Sequence, residues 1–170
     1  MPDARTVLDF KGPAEVETPE HTEAWSLPGF GPDVRIETNL GPVPAALLRR
    51  GDLVVVPSGQ YTQIEWIDRI GLDAQFLAAR PAARPRRLPK GCGPSGIPHA
   101  DLLLSGAQTL LWGTREGQMI ACAELSASAL HPAEAIKYTV FHCEDPVLVC
   151  AEGLWCLVDP ATSTEGRAVG

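Results

Sequence analysis

From Val34 onward, apolar residues come in short runs separated by glycine and proline. Val34 and Ile36 alternate with Arg35 and Glu37, the period of two expected of a half-buried strand. Asn39-Leu40-Gly41-Pro42 carries turn chemistry. Residues 44–50 are too short for a stable helix and suit one helical turn, which Gly51 and Asp52 end. Leu53-Val54-Val55-Val56 predicts an apolar strand, Pro57-Ser58-Gly59 a further turn, and Ile64 and Trp66, alternating with Gln63 and Glu65, a third strand. Residues 80–98 break this rhythm with a basic, proline-interrupted loop. Strands resume at Leu102-Leu103-Leu104, Thr109-Leu110-Leu111-Trp112 and Met119-Ile120-Ala121-Cys122. Three more follow: one in which Ile136, Tyr138 and Val140 alternate with polar residues, then Val147-Leu148-Val149-Cys150 and Leu154-Trp155-Cys156-Leu157-Val158. Many short strands with Gly/Pro turns and almost no 3.6-residue periodicity predict an all-β domain.

The pattern also contains a weak internal repeat. Thr38 and Gly41 precede Val43-Pro44-Ala45-Ala46-Leu47-Leu48, and Thr114 and Gly117 precede Ile120-Ala121-Cys122-Ala123-Glu124-Leu125. Each unit runs turn, short strand, helical turn. The first residues read differently. Asp3, Asp9, Glu15, Glu17, Glu20 and Glu23 outweigh Arg5 and Lys11, and Pro2, Pro13 and Pro19 interrupt any helix. This predicts a flexible acidic leader over 1–27, a domain over 28–160 and a flexible tail over 161–170. Within the leader, residues 7–10 could pair as a short edge strand.

Composition narrows the function classes. The 170-residue chain is long enough for one core without staples. A net charge of −7 disfavours nucleic acid and anionic lipid as partners. No apolar run reaches the roughly 20 residues of a spanning helix, and the N-terminal residues lack the features of a signal peptide, which predicts a cytoplasmic protein. The five cysteines are an odd number without C-x-x-C spacing, against a disulfide framework or a structural zinc site. They are read as small buried hydrophobes, with Cys92, between two glycines, the most exposed thiol.

Two stretches carry a resemblance. The first is Gly29-Phe30-Gly31-Pro32-Asp33-Val34-Arg35-Ile36-Glu37-Thr38, running into Gly41-Pro42-Val43-Pro44 and Arg50-Gly51-Asp52-Leu53-Val54. The second is Asp101-Leu102-Leu103-Leu104-Ser105-Gly106-Ala107-Gln108-Thr109-Leu110-Leu111. In order and spacing they resemble the Hint domain (the Hedgehog/intein module) in its compact bacterial form. The resemblance implies an all-β fold of two related halves about a pseudo-twofold axis. It also implies a self-cleavage reaction. A Cys at the first position attacks the preceding carbonyl, turning an amide into a thioester. A His three residues after a Thr or Ser protonates the leaving nitrogen. A second nucleophile then takes the acyl group.

This sequence departs from that pattern at the reactive positions. The family's Cys aligns with Gly29 and its His with Gln108, while Phe30, Ile36 and Ser105 match. A neutral amide cannot give up a proton near pH 7. In the last conserved stretch, ending Ala151-Glu152-Gly153, bacterial members often carry a His-Glu pair where this chain has Pro146-Val147. The resemblance therefore implies a degenerate Hint domain that no longer cuts itself and serves as a binding or scaffold module. Its vestigial site is Gly29, Ser105 and Gln108, with no cofactor or metal and a protein partner left open.

Two alternatives stand beside this reading. One is residual autoproteolysis from a non-standard nucleophile, with Ser26 the weak candidate. The other is an unrelated all-β module that binds a ligand or partner. Other constellations carry less. His142 and Cys143 are neighbours in a strand and point to opposite faces. Glu144-Asp145 before Pro146 reads as a turn. Gly91-x-Gly93-x-x-Gly96 matches a dinucleotide fingerprint only in letters, since Ile97-Pro98 cannot start the required helix. The basic residues between Arg80 and Lys90 have no interleaved aromatic to stack bases and read as a solvated connection.

Overall fold

The computed structural model describes residues 25–113 and 117–162. The leader up to residue 24 with its expected edge strand at 7–10, His21, Thr114 and the tail from 163 lie outside the described residues.

The chain is built of short strands. They are β1 (Arg35–Thr38), β2 (Gly41–Pro44), β3 (Leu53–Val55), β4 (Tyr61–Gln63), β5 (Trp66–Leu72), β6 (Arg86–Leu88), β7 (Leu102–Leu104), β8 (Thr109–Trp112), β9 (Gln118–Ala121), β10 (Ala129–Leu130), β11 (Ile136–His142), β12 (Val147–Ala151) and β13 (Leu154–Val158). An α-helix, α1 (Ala74–Ala79), follows β5. Eight strands form one sheet in the order β4-β3-β1-β12-β13-β8-β9, with β2 paired to β1. β10-β6-β7 form a second sheet, and β5 and β11 pair as a ribbon of seven residue pairs from Ile136–Leu72 to His142–Trp66.

The expected alternation is present. In β1 Ile36 and Thr38 are buried and Arg35 exposed, and in β13 Leu154, Cys156 and Val158 point inward. The strand expected across Ile64 and Trp66 is instead broken into β4 and β5. Ile64 donates its N–H to Asp52 and Glu65 to His142, so the chain changes partner between those two residues. α1 was not legible in the hydrophobic pattern, because only Leu77 of its six residues is buried. Its start is chemical: the Asp73 side chain accepts from the Phe76 N–H at 2.9 Å, an N-cap.

The two halves are related residue by residue. The segment at Gly29–Gly31 crosses the segment at Leu103–Ser105 antiparallel: Gly31 donates to the Leu103 carbonyl at 2.8 Å and Ser105 to that of Gly29 at 3.0 Å. From there each half makes the same turn. Val34 donates to Gly31 in one half, as Gln108 does to Ser105 in the other. Each half then forms a hairpin, β1–β2 or β8–β9, ending in one turn of 3-10 helix at Ala45–Leu47 or Cys122–Glu124. Both turns bond back alike: Ala45 to Val34 and Ala46 to Pro32, Cys122 to Gln108 and Ala123 to Gly106. The sequence repeat thus has the expected register, Val43 matching Ile120 and Leu48 matching Leu125.

Two clusters of buried side chains result. The larger joins Phe30, Ile36, Leu48, Val54, Leu104, Leu110, Phe141 and Cys156 with others across the eight-stranded sheet. The smaller gathers Leu27, Leu72, Leu77, Ala83, Ile136, Tyr138 and Val140 beneath α1, with Trp25 and Phe76 packed against it.

Candidate functional site

The crossing of the two halves brings Gly29, Ser105 and Gln108 together. Phe30 is held on its other side by β11, donating to the Thr139 carbonyl at 2.9 Å and accepting from the Thr139 N–H at 2.8 Å. The residues around position 29 are therefore pinned between two neighbours. Backbone bonds on both sides fix where residues 29–31 lie.

Gly29 is buried, and a Cβ built on it would sit 3.0 Å from Tyr138 Cβ and 3.3 Å from Tyr138 Cγ. Tyr138 is itself anchored, its hydroxyl donating to the Ala83 carbonyl at 2.8 Å. Ser105 is fully buried. Its Oγ donates to the Leu27 carbonyl at 2.7 Å and accepts from the Ala107 N–H at 3.2 Å. With its own N–H on Gly29, Ser105 grips the carbonyls on both sides of Pro28. A hydroxyl so committed is a positioning group.

Gln108 is 1 % exposed. Its Nε2 donates to the Leu157 carbonyl at 2.7 Å and the Thr109 carbonyl at 3.2 Å. The amide thus braces the start of β8 to the end of β13. Its counterpart in the first half is Val34, which shows that the turn itself needs only an apolar packer there; the amide answers to Leu157. Pro28, Gly29, Gln108, Val140, Leu157 and Asp159 border a residual hollow of about 10 Å3, the room of a single water. Larger hollows of about 510 and 420 Å3 lie elsewhere, the first beside Leu72, Phe76 and Lys137, the second beside Asp33, Arg87 and His131.

Ser26 is exposed and does not border this hollow. No cysteine supplies a ready thiolate. Burial pushes the Cys122 and Cys143 thiols up to about 11 and raises Cys92, Cys150 and Cys156 above the ordinary thiol value; only the thiolate attacks carbonyls. His99 covers Gly153, His131 donates its backbone N–H to Pro85, and His142 stacks on Trp66 at 5.2 Å while Cys143 is buried. None of these three borders the hollow.

The basic segment is solvated as expected at Arg80, Arg87 and Lys90, which are exposed, but Arg86 is drawn into the fold. Arg86 donates to Ser128 Oγ at 3.0 Å and to the Ser128 carbonyl at 3.1 Å. Arg87 pairs with Asp101 at 2.8 Å, and Arg80 lies 5.6 Å from the centre of the Phe76 ring. These arginines have partners within the fold. Asp101 is held below the usual carboxylate range, first by the Lys90 N–H and then by Arg87.

Tyr138, Leu157 and Asp159 were not singled out as site residues by sequence reasoning. Leu157 takes part through its carbonyl, which no side-chain pattern encodes. Among the described residues, no helix is long and apolar enough to cross a membrane, and no three His, Cys, Asp or Glu side chains are grouped to hold a metal.

Comparison with curated proteins finds no match. Among solved structures, a DnaB intein from Synechocystis sp. PCC 6803 is similar at 9 % identity, over 78 % of this chain and 99 % of that one, with a TM-score of 0.54. The gp41-1 intein is similar at 12 % identity over 77 % and 98 %, with a TM-score of 0.53. The Msm DnaB1 intein splicing domain, bound with zinc, is similar at 14 % identity over 76 % and 99 %, also at 0.53. These likenesses concern the fold. The Hint domain family model matches residues 28–157, and with the crossed, twice-repeated halves described above, the chain belongs to the Hint domain family.

Proposed function

We propose that this Hint domain does not cleave itself and persists as a folded holding module. One observation carries the reading: the residue that carries the leaving nitrogen, next to the Pro28 carbonyl, is Gly29, and the second-motif residue that shares its hollow is Gln108, an amide. Glycine offers no atom to attack the Pro28 carbonyl. Gln108 has no acidic proton, and its N–H groups are spent on Leu157 and Thr109. Acyl transfer needs a nucleophile about 3–3.5 Å from the carbonyl. The raised thiols and the exposed Ser26 supply none there. The 10 Å3 hollow also leaves no room for a partner's side chain at this spot, so a scaffold role rests on the surfaces around it.

The test is the intact mass of the full chain after long incubation, alone and with excess thiol or hydroxylamine. A single full-length species is expected. A fragment beginning at Gly29 overturns the reading, and its loss in Ser26→Ala would name the nucleophile.

A further inference from the structure

We infer that the face formed by α1, β11 and Ser105 is a peptide-recognition site, filled in this chain by its own residues 25–28. The segment reads like a bound extended peptide. Trp25 is half-buried, Ser26 exposed and Leu27 buried, so alternate side chains face inward. Leu27 is 7 % exposed and belongs to the cluster of Leu72, Leu77, Ile136 and Tyr138. Trp25 meets Phe76 of α1 edge-on, ring centres 5.8 Å apart at 77°. The main chain is fixed by Ser105 Oγ on the Leu27 carbonyl. Alternate side-chain anchors with a main-chain bond beside them are how proteins take extended peptides.

The ligand is thus an aromatic-x-aliphatic-Pro segment preceding the domain. All of these grips on it lie upstream of the Pro28–Gly29 bond, whereas Phe30 is held separately by Thr139. Retention of the segment therefore does not depend on that bond. The inference stands whether or not the domain cuts itself, and the mass measurement above reports cleavage independently.

The test uses the full chain carrying Trp25→Ala/Leu27→Ala, which empties both anchors, and a fluorescein-labelled peptide of residues 20–28. Anisotropy should show the peptide binding this variant at least tenfold more tightly than the wild type, whose site is occupied. A peptide with alanine at 25 and 27 should bind neither. A folded double variant that does not distinguish the two peptides overturns the inference. Should the double variant not fold, Trp25→Phe serves instead. The Trp25 Nε1 is buried without a partner, so phenylalanine keeps the ring contacts and loses no hydrogen bond. The wild-type minus Trp25→Phe emission spectrum should be blue-shifted relative to free tryptophan and move red in Phe76→Ala. A solvent-like difference spectrum in the wild type refutes the site.

Discussion

At the scale of single residues, Gly29 and Gln108 are integrated into the packing where they stand, and each resists change for a different reason. The atom nearest a Cβ at position 29 is Tyr138 Cβ, at 3.0 Å. It cannot swing aside by rotation, so β11 itself must yield by a few tenths of an ångström. Gly29→Ala is expected to destabilise by about 1–3 kcal/mol, the usual cost of overpacking. Gln108→Ala fails the opposite way, leaving the Leu157 carbonyl without its donor at a buried position, at about 1–3 kcal/mol. Urea denaturation measures both. A Gln108→Ala chain as stable as the wild type would remove the brace between β8 and β13 from this account. Gln108→Glu should cost more than alanine, since a carboxylate has no donor for two carbonyls and would be buried with its charge unpaired.

At the scale of elements, the fold repeats one device with different parts. Each 3-10 turn leaves two carbonyls facing inward. In the first half Arg69 Nη2 donates to both, Ala45 at 2.8 Å and Leu48 at 2.7 Å. In the second, Ser128 Oγ contacts the carbonyls of Cys122 at 2.7 Å and Leu125 at 3.0 Å, and Arg86 backs it. The carbonyls of Ala45, Cys122 and Leu125 each also accept a backbone N–H, so Arg69→Ala should destabilise by about 1–3 kcal/mol through the Leu48 carbonyl, and Ser128→Ala by about 0.5–1.5 kcal/mol through the lost hydroxyl bond. Ser128→Ala should also release the Arg86 Nε proton, visible as its faster exchange by NMR, while Nη2 keeps the residue-128 carbonyl. An unchanged Nε signal would show that the Ser128 hydroxyl does not hold it. These donors explain what was legible in the sequence. Val43 and Ile120, Leu48 and Leu125 repeat because packing demands apolar residues at fixed spacing. The short strands were legible for the same reason, and the motif frame pointed to Gly29, Ser105 and Gln108, which the fold brings side by side. Arg69, Ser128 and Arg86 do not repeat, because any donor of the right reach satisfies a carbonyl. That freedom is why Arg86 read as solvent-facing with its neighbours when it supports the second-half turn through Ser128. α1 escaped for a related reason: one buried Leu77 gives no period to detect.

At the scale of the whole molecule, the cysteines tie stability to pH. All five are free thiols, three of them buried, and each is harder to ionise in the folded chain than in solution. A thiol raised in this way contributes stability that is complete below the ordinary thiol range and declines as pH climbs toward the folded value. The unfolded chain ionises first, binding fewer protons than the native one, so unfolding becomes more favourable with rising pH. For Cys122 the window runs from about 9 to about 11, and within it one such thiol adds a slope of up to about 1.4 kcal/mol per pH unit. Tyr138, raised chiefly by burial, extends the same trend to higher pH. Urea midpoints between pH 8 and 10.5 should fall steadily in the wild type. Cys122→Ala lowers the starting stability by opening a small cavity, so the informative quantity is the slope, which should flatten. Parallel slopes in the two chains would place the alkaline sensitivity elsewhere. A flatter slope would show that the second-half turn, whose partner in the first half carries Ala45 in place of Cys122, is one of the places where this fold becomes sensitive to base.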